Sequence, residues 1–158
     1  MQKITPCLWF DTNAEEAMNF YVSIFNNSRV VSIKRYPERA TDEHLKGMSG
    51  KVLTGIFELE GQRFMCLDGG PTFKFNEAIS LVVDCETQAE LDDIWNKLSA
   101  VPEAEQCGWL KDKFGLSWQI VPRALPELLN NPDQEKAGRA LEALMKMKKL
   151  DIDALRNA

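Results

Sequence analysis

A chain of 158 residues with 44% hydrophobic and 27% charged side chains has enough apolar material for an ordinary core and none of the bias of a disordered segment. Its formal net charge of −5, from 24 acids against 19 bases, comes without any Lys/Arg stripe interleaved with aromatics, which leaves no electrostatic footprint for nucleic acid. No apolar run approaches membrane-spanning length, and the opening Met1-Gln-Lys-Ile-Thr-Pro6 is too polar and short for a signal peptide, so a cytoplasmic protein without a membrane partner is expected.

In chain order, residues 3–10 read as a strand. Asn13-Ala-Glu-Glu16 then pairs an N-cap residue with Glu at N3, a capping box in which side chain and backbone satisfy each other's free donors. Ala17, Phe20, Tyr21 and Ile24 follow at the i, i+3, i+4, i+7 spacing of a half-buried helix over 13–26. Residues 29–36 alternate as a second strand, ended by Pro37. A polar segment over about 38–51 follows; it holds the only histidine, His44, which reads as solvated among Thr41, Asp42, Glu43 and Lys46. Strands at 52–59 and 62–67 meet at Glu60-Gly61, a tight hairpin. Asp68-Gly-Gly-Pro71 reads as a linker between modules, because a phosphate cradle needs a helix after its glycines and a strand follows here.

The pattern then repeats at an interval of roughly 74 residues, Asn13 to Thr87, which suits a duplicated half-domain. A strand at 78–84 leads into a second capping box, Thr87-Gln-Ala-Glu90, and a helix over 87–99 with the stripe Leu91, Ile94, Trp95 and Leu98. Residues 101–106 read as a turn into a short strand, 109–114 as the next strand and its turn, and 116–121 as the last strand. Aligning Gly61 with Gly115 superposes Phe64 on Trp118 and Cys66 on Ile120. Beyond Pro122 the chain is helical: a short turn at 125–129, then a helix capped by Asp133 with Ala137, Leu141, Leu144 and Met145 on its apolar side, then a last turn from Asp151. That stripe is expected to dock on the outside of the body or on a second subunit, with Met145 and Met147 as packing side chains. The fold class is therefore α+β. Two tandem βαβββ modules, residues 1–70 and 71–123, and a helical tail, 124–158, form a single domain.

Cys7, Cys66, Cys85 and Cys107 are widely spaced with no Cys-x-x-Cys pair and read as unpaired thiols, with Cys107 at a loop or strand end. No Gly-x-Ser-x-Gly, no His to serve a Ser or Cys and no His-Glu-x-x-His occurs, so no catalytic residues are assigned.

The doubled βαβββ pattern, with Asn-Ala-Glu-Glu-Ala-Met-Asn-Phe-Tyr after the first strand and Lys-Asp-Lys-Phe-Gly-Leu-Ser-Trp-Gln before the last, resembles the vicinal oxygen chelate superfamily of glyoxalases, bleomycin-resistance proteins and extradiol dioxygenases. Pro71-Thr-Phe-Lys-Phe-Asn76, Gly108-Trp-Leu and the tail Glu142-Ala-Leu-Met-Lys-Met-Lys-Lys-Leu-Asp-Ile-Asp are similar to its PhnB-like branch, also labelled the 3-demethylubiquinone-9 3-methyltransferase family. The resemblance implies a divalent metal held by one side chain from the first and last strand of each module. Counted from the helix caps and hairpin glycines, those positions are Pro6, Met65, Ser80 and Gln119, and none is a histidine or carboxylate. A metal is therefore not expected. The methyltransferase label implies a nucleotide-type cofactor, yet both strand-to-helix corners lack glycine, so no cofactor is expected either.

The function that results is binding of a small molecule in an apolar cup lined by Ser80, Gln119, Leu8, Phe10, Met65, Val82 and Asp84. The alternative is an enzyme of the superfamily, or a methyltransferase as the label says, acting on a small metabolite in the same cup; a structural or interaction module is a third, blander reading. Alternation along the strands puts Leu67, Ser117 and Val121 in the cup too, and Cys7, Trp9, Leu81, Val83, Phe64, Trp118 and Ile120 beneath the helices. Each half is a curved sheet with helices on only one face, and the folds it resembles pair such halves within or between chains to complete the cup, so the resemblance implies a homodimer.

Overall fold

A computed structural model describes residues 1–39 and 41–158; Ala40, in the polar segment of the first module, lies outside the described residues. The chain divides into two compact units, Met1–Lys74 and Phe75–Ala158.

The first unit runs β1 (Cys7–Phe10), α1 (Ala14–Ile24), β2 (Arg29–Arg35), β3 (Val52–Leu59) and β4 (Gln62–Asp68). Its sheet order is β1-β4-β3-β2, with β1 parallel to β4 and the other pairs antiparallel. Glu60 and Gly61 both take positive φ, as the two-residue hairpin requires. Tyr21 of α1 stacks on Phe57, which stacks on Phe64, with ring centroids 6.4 and 5.4 Å apart. The helix comes so close to β3 that a Cβ on Gly55 would lie 2.7 Å from both Met18 Sδ and Cys66 Sγ, so only glycine fits there.

The first capping box does not form. Asn13 sits at φ −123°, ψ 27°, outside the extended region an N-cap uses, and makes no side-chain cap. The end of α1 is held instead by Asp68, at the far end of β4, whose Oδ1 accepts the Ala14 amide at 2.9 Å while Oδ2 accepts the Val52 amide at 2.8 Å. Anchored there, α1 buries Ala14, Ala17, Met18 and Tyr21. Phe20 and Ile24, expected in the stripe, are only half-buried, and Met18 takes the central place.

The second unit runs β5 (Ser80–Cys85), α2 (Gln88–Leu98), β6 (Trp109–Lys111), β7 (Ser117–Pro122), α3 (Leu125–Leu129), α4 (Gln134–Lys146) and α5 (Ile152–Arg156). Here the Thr87 cap does form, its Oγ1 accepting the Glu90 amide at 3.2 Å, while the Glu90 carboxylate reaches one residue further back than a capping box does, to the Glu86 amide at 2.8 Å. Leu91, Ile94, Trp95 and Leu98 are the buried stripe, as their spacing predicts. The sheet order is β5-β7-β6. The strand expected within 101–106 is reduced to a 3₁₀ turn, Pro102–Ala104, and one bridge from Gln106 to Trp109, since Pro102 has no amide to give a ladder. The second module is thus βαββ within the same α+β plan.

Asp112, only 1% exposed, accepts from the amides of Phe114 and Leu116 and from Trp118 Nε1, at 2.8, 3.1 and 2.8 Å. The tail docks on its own unit. Cys107 and Gly108 donate to the carbonyls of Met147 and Lys148, both at 2.8 Å. Gln88 of α2 donates to the Leu150 carbonyl at 3.0 Å and accepts the Ile152 amide at 2.9 Å. Asp133 caps α4 as read. The buried face of that helix is Ala140 and Leu144, whereas Leu141 and Met145, expected on the apolar side, are 49% and 57% exposed. Ala140 lets α4 lie close to its neighbours, and that turns the two larger side chains outward.

Two outcomes follow for stability and reactivity. Asp68→Ala strands two buried amides and is expected to cost about 2–4 kcal/mol in urea denaturation, with Asp68→Asn losing less because it keeps one acceptor. Cys66 and Cys85 are fully buried, and burial pushes both thiols up to about 12; Cys7, raised more modestly by partial burial, and Cys107 are reachable. A thiol reagent at about pH 8 should therefore modify two of the four cysteines in the native protein and all four after unfolding.

Candidate functional site

Strand side chains alternate between faces, so the register decides what each face presents. In the second unit Ser80, Val82 and Asp84 stand opposite Ser117, Gln119 and Val121, and β6 adds Trp109 beside Gln119 and Lys111 beside Ser117. The other face holds Leu110, Trp118 and Ile120, all buried with α2. Trp118 thus packs on the helix side and Gln119 on the open side, in the register read from the sequence. Gln119 Nε2 donates to Ser80 Oγ at 2.9 Å. After that bond, Ser80 keeps a hydroxyl proton and Gln119 keeps a carbonyl oxygen and a second N–H, so the pair can both give and accept hydrogen bonds. Beside it Val82 is 58% exposed, Asp84 is exposed, Val121 is half-buried, and Lys111 is paired with Glu77.

The first unit requires a correction. Leu8 and Phe10 are not cup-lining side chains. They stand opposite Cys66 and Asp68, on the α1 face, and are buried. The residues that share a face with Met65 and Leu67 are Cys7 and Trp9; Cys7, placed beneath the helix by the sequence reading, is exposed, and the position beside Met65 belongs to it rather than to Pro6. The corner between strand and helix holds residues 11–13 in the first module and 86–87 in the second. Equal counts back from the two caps therefore reach opposite faces. Trp9 closes the end of its face: its Nε1 donates to the Gly70 carbonyl at 3.0 Å and its ring meets Phe73 edge-on at 5.0 Å. The Gly69-Gly70 pair was the available signal, because a Cβ on Gly69 would lie 2.2 Å from that ring.

The donor sets can be tested against the groups the resemblance implies. In the first unit the pair is a thiol and a thioether, Cys7 and Met65; in the second it is a hydroxyl and a carboxamide, already bonded to each other. A hard or borderline divalent cation wants imidazole or carboxylate, and these residues do not fit it. Among the described residues no three His, Cys, Asp or Glu side chains come together. A nucleotide-type cofactor is commonly held by free amides at a glycine-rich strand-to-helix corner. Here the corners carry no glycine, and the Ala14 amide is taken by Asp68, that of Glu90 by Thr87 and that of Glu86 by the Glu90 carboxylate.

The family model described as 3-demethylubiquinone-9 3-methyltransferase matches residues 2–121. The PhnB protein from Bacillus cereus is 43% identical over 77% of this chain and 99% of its own, with a TM-score of 0.65. Protein PA1353 from Pseudomonas aeruginosa, 19% identical over 77% of this chain and 98% of its own, shares the fold with a TM-score of 0.58. A glyoxylase/bleomycin resistance protein/dioxygenase domain from Frankia sp. EAN1pec matches at 13% identity over 77% of this chain and 92% of its own, with a TM-score of 0.48. No curated protein matches the chain. Among the described residues no helix is long and apolar enough to cross a membrane. The chain belongs to the 3-demethylubiquinone-9 3-methyltransferase family, in its PhnB-like branch.

Proposed function

We propose that this protein binds a small, partly apolar metabolite on the open sheet face of the second unit, without a divalent metal as a required ligand. The observation that carries the reading is the Gln119–Ser80 hydrogen bond on an open face whose other side chains include Val82 and Val121. A concave apolar surface with a few convergent polar groups is the usual form of a small-molecule site, and this pair supplies two donors and an acceptor. Asp84 lies on the same face, four residues from Ser80 or roughly 13 Å along the strand at ~3.3 Å per residue, so it would meet a different part of the ligand. Met65, with Cys7 and Trp9, occupies the corresponding face of the first unit.

An enzyme acting on a small metabolite, or the methyl transfer that the family's description names, is the alternative. The titratable Asp84 and Lys111 on that same face favour it. Asp84→Asn would then abolish turnover and leave binding in place, whereas in a simple binder it changes affinity alone.

A thermal-shift screen of small metabolites, run with and without divalent cations, tests the binding reading. A true ligand at a hundred times its Kd stabilises by about 2.7 kcal/mol. Gln119→Ala should weaken it about tenfold, the worth of one hydrogen bond at about 1.4 kcal/mol, and chelator should leave it unchanged. Stabilisation that needs added metal, or that is undiminished by Gln119→Ala, would overturn the proposal.

The acting form is, in this reading, a cytoplasmic homodimer. Each sheet carries its helix on one face, and Ile79 stands 71% exposed in the second unit, apolar surface that a second copy would cover. Four unpaired cysteines suit a reducing compartment. Sedimentation at micromolar concentration should give twice the mass of the 17.9 kDa chain; a monomer removes the idea.

A further inference from the structure

The helical tail borders a half-open cavity of about 240 Å³ between α3, α4 and α5, with Lys136 and Arg156 exposed at it. Ala140 and Leu155 are its buried apolar walls, with Leu128 beside them, and Asn131, Lys136, Arg156 and Asn157 are its polar ones, joined by Ala158 with its backbone carboxylate. Among the described residues neither the Lys136 ammonium nor the Arg156 guanidinium has an ion pair or hydrogen bond. Some basic side chains elsewhere hold a carboxylate, Arg29 with Glu58, Arg35 with Glu15, Lys97 with Asp93 and Lys149 with Asp92. Acids are not scarce, since 24 stand against 19 bases. The aspartates that start α4 and α5 are turned away from the two cations: Asp133 accepts the amides of Glu135 and Lys136, and Asp151 accepts that of Ala154. Arg156 also lies in the last turn of α5, where a cation is favoured by the helix end; what the helix end does not supply is a second cation and two carboxamides on the same hollow.

We infer that this cavity is a binding site for a small oxyanion, a phosphate or a short-chain carboxylate. Arg156 offers the planar fork that matches two oxygens, Lys136 adds a point charge, and Asn131 and Asn157 supply neutral donors. The volume corresponds to about eight waters at ~30 Å³ each and falls below the ~300 Å³ at which drug-sized ligands begin to fit, which limits the occupant to a few heavy atoms beyond its anionic head. The site lies wholly beyond residue 121, where the family match ends, and does not depend on the sheet-face reading.

Titration of the whole chain with sodium phosphate and, separately, sodium butyrate at low ionic strength, followed by amide NMR, tests it. One of the two should bind saturably at one equivalent and shift the side-chain amides of Asn131 and Asn157. Lys136→Met and Arg156→Met should each weaken that binding at least tenfold with unchanged melting temperature, and Lys146→Met, on α4 outside the cavity, should not change it. The arm that saturates identifies the head group. Failure of both anions to saturate, or equal weakening by Lys146→Met, overturns the assignment.

Discussion

Each unit is fastened by a carboxylate buried at the end of a strand. Asp68 and Asp112 are both 1% exposed, and taking a carboxylate out of water costs several kcal/mol unless donors replace the solvent. The fold supplies them: two backbone amides from distant segments at Asp68, and two amides with an indole N–H at Asp112. Asp68 sets where α1 begins and how it is rotated over its sheet. Asp112 ties the turn before β7 to the Trp118 ring, so that Trp118 faces inward and Gln119 outward. The face on which a ligand is proposed to sit is therefore defined by what the opposite face has fastened down.

How far this was legible depended on the range of the interaction. The stripe of α2 and its Thr87 cap are local, and side-chain spacing was enough to read them. The α1 stripe was misjudged because its N-terminus is bound by Asp68, 54 residues away from Ala14, a partner no local pattern announces. Leu8 and Phe10 were assigned to the wrong face because a single extra corner residue inverts the parity of a strand. The absent fourth strand of the second module was foreshadowed by Pro102. The Asp133 cap was plain in the sequence. The tail's docking was not, because Gln88 reads as one more polar residue on a helix surface until both ends of its amide are seen to be engaged.

The two related units present different chemistry at related strand positions. One offers sulfur, Cys7 beside Met65; the other offers a neutral hydroxyl and carboxamide, Ser80 with Gln119. Neither pair carries formal charge while the Cys7 thiol is protonated, and partial burial favours that protonated form. Recognition through such groups rests on shape and directed hydrogen bonds, with little dependence on salt. The tail cavity is the reverse case, with two cations and a response to ionic strength.

The Gln88 amide also has a consequence for the order of assembly during synthesis. Its two hydrogen bonds join residues 62 and 64 positions apart, and the second partner, Ile152, is among the last residues made. Every contact within the first unit is available once Lys74 has been added, whereas α2, complete at Leu98, waits a further 54 residues (152 − 98) for Ile152. At the usual ~5–20 residues per second this is a delay of roughly 3–11 seconds. For that interval the surface later covered by Leu150 and Ile152 is open to other apolar chains.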